Sequence, residues 1–280
     1  MFCLVNGHLQ QTKDAVLSIN DLAIMRGYGI FDFFRLSDGV PLFIDDHLDR
    51  FYHASERVRL KIPFTKNELK EHLYTLFDKN QMRVAGIRMI LTGGYTPNGY
   101  DPGQPNLVIT QEPITFPPAY KYENGIKLIT HEYLRDLPEV KTINYMTGIF
   151  LQDKVQREGA YDVVYYYNDQ VLELTRSNIF IVDEHNKIIT PKNNILLGIT
   201  RKNLLRAAKD KVSIIERPIA LKELYNAKEA FLTGTTKRVL PITQMDDRTI
   251  GNGKPGNVTR QMIELFEQYE REYVSSYSRE

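Results

Sequence analysis

Strand-like runs in this chain arrive in groups, and helical patterns fall between the groups instead of after every strand. That order excludes a regular βαβ alternation and predicts an α+β protein. The first group is a hairpin, in which the apolar run Phe2–Val5 meets Asn6-Gly7, a pair that tolerates the positive φ angles of a type I′ turn. A second hairpin is predicted over 29–36 and 40–44, turning at Asp38-Gly39. Asp45 and Asp46 stand where an N-cap is expected, ahead of a periodic stretch reaching Val58. Thr65, with Glu68 three residues on, makes a capping box for a second helix that ends near Asp78. Strands are expected over 87–92 and 107–110. Between them, 93–105 is rich in Gly, Pro, Asn and Tyr, and a loop that long in a compact domain is more often functional than idle.

Pro113, Pro117 and Pro118 interrupt the pattern, so 112–125 reads as a linker between domains 1–115 and 122–280. Beyond it, strands are predicted over 126–130, 162–167, 171–173, 178–182, 212–217 and 230–233, with helices over 145–158, 200–209 and 258–273. A chain of 280 residues has ample core for two domains. Its charge is nearly balanced at +1 with no block of one sign, which recommends neither nucleic acid nor a membrane surface as partner. A single cysteine, Cys3, excludes an internal disulfide and fits a reducing compartment. No signal-like segment opens the chain and no apolar run has membrane-spanning length, so a cytoplasmic protein is expected. The six histidines lack metal-ligand spacing and no nucleotide fingerprint is present, so no metal is expected.

Three short segments carry the chemistry. Lys141 lies in V-K-T-I-N-Y, Glu173 in L-E-L-T-R-S-N-I-F, and Gly198-Ile199-Thr200-Arg201 opens a helix. On residue type alone these read as a solvated amine, an exposed strand-end carboxylate and an ordinary helix start. In this order and spacing they resemble fold-type IV (class IV) aminotransferases, the pyridoxal-phosphate family of branched-chain aminotransferase, D-amino-acid aminotransferase and aminodeoxychorismate lyase. The resemblance runs from about Val5 to Pro241. It implies a two-domain α+β fold with the cofactor in the interdomain cleft, and a homodimer.

The resemblance also assigns roles. K-T-I-N-Y is similar to the family's K-x-x-N segment, which implies that Lys141 holds the cofactor aldehyde as a Schiff base. Once released, its amine is the general base between the substrate Cα and the cofactor C4′. E-x-x-x-x-N-I-F gives Glu173 the ring nitrogen and Asn178 a supporting role. The backbone N–H groups of Ile199 and Thr200, with the Thr200 hydroxyl, are expected on the phosphate. Arg50 in H-L-D-R and Thr235 in T-G-T-T are expected there too. One departure is the spacing of only five residues between Thr190 and Leu196, read as a trimmed surface turn.

The substrate end follows no single branch of the family. Gly93 stands where the D-amino-acid and lyase branches place an arginine, and Phe31-Asp32 replaces the commoner F/Y-E pair. Arg88, an arginine interrupting an apolar strand, is the first candidate for the substrate carboxylate, because a buried arginine needs an anion. Phe31, Arg176 and Tyr95 complete the candidate substrate residues, with the Tyr95–Tyr100 segment as a lid. The implied function is transfer of an amino group from an amino acid to a 2-oxo acid. The alternatives are aminodeoxychorismate lyase, releasing p-aminobenzoate and pyruvate, and an inactive relative serving as a binding protein.

Overall fold

A computed structural model describes residues 1–278. The chain divides into two compact units. One comprises Met1–Ile114, Val140–Asn144 and the C-terminal end from Ser276; the other comprises Thr115–Glu139 and Tyr145–Ser275.

The first unit contains β1 (Phe2–Val5), β2 (His8–Gln11), α1 (Leu22–Arg26), β3 (Gly29–Ser37), β4 (Val40–Pro41), α2 (Ile44–Arg57), α3 (Lys66–Asn80), β5 (Ala85–Thr92) and β6 (Leu107–Glu112). Its six strands form one sheet in the order β2-β1-β6-β5-β3-β4. The two tight turns have the positive φ angles their residues favour: Asn6 at 52° and Gly7 at 83°, Asp38 at 55° and Gly39 at 83°. Alternation along β3 separates two faces. Ile30, Phe34 and Leu36 join Leu48, Phe51, Leu69, Leu73 and Met89 in the core, whereas Phe31 and Phe33 are half-buried on the opposite face. The Thr65–Glu68 capping box starts α3. Helix α2, however, begins three residues before the expected start. Its N-cap is Phe43 in the left-handed region, and Asp45 and Asp46 lie inside the first turn, where the helix dipole favours negative charge.

The second unit contains α4 (Ala119–Asn124), β7 (Ile126–Glu132), α5 (Met146–Phe150), α6 (Gln152–Arg157), β8 (Asp162–Tyr167), β9 (Gln170–Leu174), β10 (Asn178–Val182), β11 (Ile188–Thr190), α7 (Ile199–Ala208), β12 (Ile214–Glu216), β13 (Ile219–Ala220), α8 (Leu221–Tyr225), β14 (Glu229–Gly234), β15 (Arg238–Met245), β16 (Arg248–Thr249) and α9 (Asn257–Ser276). The sheet order is β12-β11-β10-β14-β15-β7-β8-β9-β13, with β16 on β15. One face buries Leu128, Val164, Ile179, Leu232 and Leu240. On the other, the cross-strand partners Phe180 and Phe231 stack at 4.8 Å. The stretch read as a linker carries α4, and the helix expected over 145–158 is broken at Leu151 into α5 and α6. Among the described residues, no helix is long and apolar enough to cross a membrane, and no group of three His, Cys, Asp or Glu is placed to hold a metal.

Candidate active site

In the first unit the sequence 140–144 runs back along β3. Val140 plugs into the core at 2% exposure, the Phe31 N–H donates to Lys141 O at 2.9 Å, and the Ile143 N–H donates to Gly29 O at 3.1 Å. The burial of Val140 before Lys141, and these bonds at and after it, fix the backbone there. Its amine lies 4.3 Å from the centroid of the Phe31 ring, on the half-buried face of the sheet. Phe31 contributes this π face in place of a hydroxyl.

Arg88 faces the same side, 5.1 Å from the Phe33 centroid and 5.9 Å from that of Phe31. The premise that it is buried does not hold. Its side chain is 36% exposed, and its anion is Glu112 on β6, reached by Nη2 at 2.6 Å. An arginine on this sheet face extends its stem over aromatic rings while its head stays wet.

Asp32, opposite in parity to Phe31, points into the unit and is 1% exposed. Arg50 donates Nε to Oδ2 at 2.8 Å and Nη2 to Oδ1 at 2.9 Å, while His47 Nδ1 lies 2.7 Å from Oδ1. Burial alone pushes the Asp32 carboxyl up. The adjacent Arg50 and His47 outweigh it and hold the group well below the usual carboxylate range. Burial lowers His47 below its ordinary value against the pull of Asp32. The neutral imidazole therefore carries its proton on Nδ1, since an ionised Asp32 can only accept. The pairing fixes the plane of the Arg50 guanidinium. The spacing of His47 and Arg50 on one helix face was the available signal for it.

The loop 93–105 is tied at its base. The Gly103 N–H donates to Gly93 O at 2.9 Å, Thr96 N–H to Asn20 O at 3.1 Å, and the fully buried Asp21 accepts from Thr92 Oγ1 at 2.7 Å and Asn106 Nδ2 at 2.8 Å. Tyr95, 45% exposed, lies within that base, where its backbone bridges Asp21, and Tyr100, 79% exposed, lies beyond it. A Cβ on Gly93 would come within 2.7 Å of Tyr28 Cδ1 and 2.9 Å of Leu22 Cβ, so local packing leaves no place for an arginine here.

In the second unit, Glu173 is 6% exposed near the end of β9. Arg135 donates Nε and Nη2 to Oε1 at 2.9 and 2.6 Å, and the Leu196 N–H donates to Oε2 at 3.0 Å. Arg135 also donates to the Pro138 carbonyl. Sequence reasoning missed Arg135, because nothing local marks an arginine 38 residues from its carboxylate. Asn178, first in β10, takes the other side of Leu196. Its Nδ2 donates to Leu196 O at 2.7 Å, and its Oδ1 accepts from the Gly198 N–H at 3.1 Å. The five-residue spacing of Glu173 and Asn178 thus has a physical meaning. Together they fasten one turn, 196–198, that leads into α7.

Gly198 is the extended N-cap of α7 and offers no side chain; a Cβ there would stand 2.1 Å from Asn178 Oδ1. The first-turn N–H groups of Ile199 and Thr200 precede any intrahelical acceptor. Both residues are buried, at 5% and 8% exposure. Arg201 anchors the helix elsewhere, on Pro191 O at 2.9 Å and Glu216 Oε2 at 2.7 Å. Thr235 lies half-buried in the β14–β15 turn, and Arg176 is exposed in the β9–β10 turn. A fixed carboxylate and a bare helix start, joined by one turn, suit a ligand with a cationic ring nitrogen and an anionic phosphate.

The family model for amino-transferase class IV matches residues 29–245. The chain belongs to the class IV aminotransferases. It is 33% identical over 275 residues to a Methanocaldococcus jannaschii protein provisionally named a branched-chain-amino-acid aminotransferase, covering 94% of each chain. It is 30% identical to a Bacillus licheniformis D-alanine aminotransferase, covering 93% of this chain and 94% of that one. Among solved structures, a T.th. branched-chain amino acid aminotransferase with pyridoxamine 5'-phosphate superposes with a TM-score of 0.89 at 25% identity, covering 96% of this chain and 94% of that one. A Legionella pneumophila protein provisionally named 4-amino-4-deoxychorismate lyase superposes at 0.84 with 25% identity, covering 92% and 97%. This class IV aminotransferase is a pyridoxal-phosphate-dependent enzyme of the fold-type IV architecture.

Proposed function

We propose that this class IV aminotransferase moves an amino group from an amino acid to a 2-oxo acid with Lys141 and Glu173 as its central residues. The observation that carries the assignment is the 196–198 turn, in which Glu173 and Asn178 bind opposite sides of Leu196. Pyridoxal phosphate, when bound, supplies the electron sink for breaking the substrate Cα–H bond. Lys141 holds the aldehyde carbon and, when free, moves the proton between Cα and C4′; its pinned backbone limits how far the amine wanders. Glu173 accepts the ring N–H, and Arg135, on its Oε1, aims that carboxylate. Ile199, Thr200, Thr235 and Arg50 are the phosphate ligands, Arg50 being held in plane by Asp32.

Phe31 is the apolar wall beside the amine. Arg88 and Arg176 are the candidate carboxylate receptors, and Arg88 exchanges Glu112 for substrate in this reading. Tyr95 belongs to the segment that covers the substrate. The enzyme works in the cytoplasm as a homodimer. The dimer is supported by Met146, Ile149 and Phe150, which form one face of α5 and are 78%, 70% and 81% exposed.

The test is the absorption spectrum of purified protein, recorded before and after adding single L- and D-amino acids without any oxo acid. A yellow protein bleached by one donor supports transamination and reveals its handedness. A yellow protein unchanged by every donor moves the assignment to the lyase, checked next with aminodeoxychorismate. No yellow after adding pyridoxal phosphate overturns the site and leaves the binding-protein alternative.

A further inference from the structure

Strands β3, β5 and β6 bring Phe33, Arg88 and Glu112 to one face of the first sheet, the face that carries Phe31 and the Lys141 amine. Phe33 and Arg88 are cross-strand partners, and Gly86 stands directly opposite Glu112. Gly86 is thus a bare position between a ring on β3 and a carboxylate on β6. The ring fills it. A Cβ on residue 86 would stand 2.5 Å from Phe33 Cζ, 2.7 Å from its Cε2 and 2.6 Å from Ile114 Cγ2. Phe33 lies over β5 only because residue 86 has no side chain. From there its centroid is 5.1 Å from Arg88 Cζ, and the Phe31 centroid is 5.9 Å from the same atom. The Phe31 ring also lies 4.3 Å from the Lys141 amine, so the guanidinium and the amine share one ring.

In the pair of Arg88 with Glu112 the side chains are 36% and 37% exposed. An ion pair so open to solvent contributes little, and another carboxylate replaces Glu112 at small cost. The arginine stem is long and rich in rotamers, so its head wanders into solvent during that exchange unless something else holds it. The two rings supply the hold. A guanidinium is attracted to a π face, and that contact leaves its N–H groups for the incoming carboxylate. We propose that Phe33, seated in the space left by Gly86, is a positioning residue that keeps the Arg88 guanidinium beside Phe31 while it exchanges Glu112 for the substrate carboxylate. This role rests on the reading of Arg88 as a carboxylate receptor above.

Calorimetric titration of the holoenzyme with 4-methylpentanoate, a carboxylate that cannot react, tests the role in wild type, F33L, R88A and the double variant. Leucine keeps apolar bulk over Gly86 and removes only the π face. F33L is expected to bind the acid about fivefold more weakly, the worth of one cation–π contact. R88A is expected to lose about tenfold or more, as loss of a charge-assisted contact implies. In the R88A background F33L should add less than about twofold, because without the guanidinium the ring has nothing to hold. The KM for pyruvate should rise in F33L while kcat stays within about twofold of wild type, the pattern of lost binding rather than lost chemistry. F33L that binds the acid as wild type does, or that loses as much in the R88A background as alone, overturns the role and leaves Arg88 as receptor. R88A that binds the acid as well as wild type, or wild type that binds none, overturns the carboxylate reading of Arg88 and this role with it.

Discussion

Arg135 and Glu173 form a pair whose strength can be measured without cofactor. Their side chains are only 17% and 8% exposed, so solvent screens the pair weakly. Replacing Arg135 with Met removes both guanidinium donors from Oε1, while the Leu196 N–H stays on Oε2. Removing one partner of a buried pair costs about 3–5 kcal/mol, because the other charge is left unbalanced. For a protein of this size each kcal/mol lowers Tm by roughly 2–4 °C, so R135M should melt roughly 6–20 °C below wild type. E173Q removes the same attraction from the other side. In the double variant R135M/E173Q neither charge is stranded, and its destabilisation should fall short of the sum of the single losses by at least about 2 kcal/mol. Urea titrations of the four apoproteins followed by circular dichroism read all four corners of the cycle. Additive losses would refute the coupling between Arg135 and Glu173.

Other outcomes follow from the same geometry. K141A should lose borohydride-trappable cofactor and fall in transamination rate by at least ~10²–10⁴, the usual worth of a positioned base; cofactor still fixed after reduction would end the Lys141 assignment. G198A places a Cβ against Asn178 Oδ1 and should cost about 1–3 kcal/mol by urea titration, with weaker pyridoxal phosphate binding; unchanged values would mean the turn has slack. His47 has a folded pKa below its ordinary 6.5, so the unfolded chain binds the extra proton first and stability falls as pH drops below 6.5. H47N, which keeps a donor for Asp32, should flatten that slope between pH 6.5 and the lowered folded value; a slope unchanged in H47N would assign it to other groups. F150D should turn a dimer into monomers in sedimentation velocity, and a variant that still sediments as wild type would remove α5 from the interface.

Local chemistry settled a good deal of this protein before any tertiary contact formed. Asn6-Gly7 and Asp38-Gly39 fix their turns because their own backbones accept positive φ, and Thr65 with Glu68 starts α3 through bonds spanning one helical turn. Helix α7 opens where glycine leaves its N–H groups bare. Strand β15 escaped detection for a reason that is not local. Pro241 argues against a central strand, yet pairing with β7 begins only at Ile242, so the proline meets no neighbour on that side. The start of α2 was misplaced because Phe43 takes a left-handed conformation that its sequence does not advertise.

The residue types of the proposed site, the lysine, the carboxylate and the helix start, were read from motif order and spacing and the resemblance they carry. Their supports were not. Arg135 reaches Glu173 across 38 positions, Asp32 captures Arg50 and His47 from a neighbouring helix, and Tyr28 with Leu22 closes the space at Gly93. Each of these depends on which strands lie side by side, a choice made by burying the apolar faces of the sheets rather than by any nearby residue. The sequence by itself therefore named the chemical groups. Only the tertiary structure decided which of them are paired, held ionised and aimed, because a charge buried on one strand is answered by whatever the packing brings opposite it.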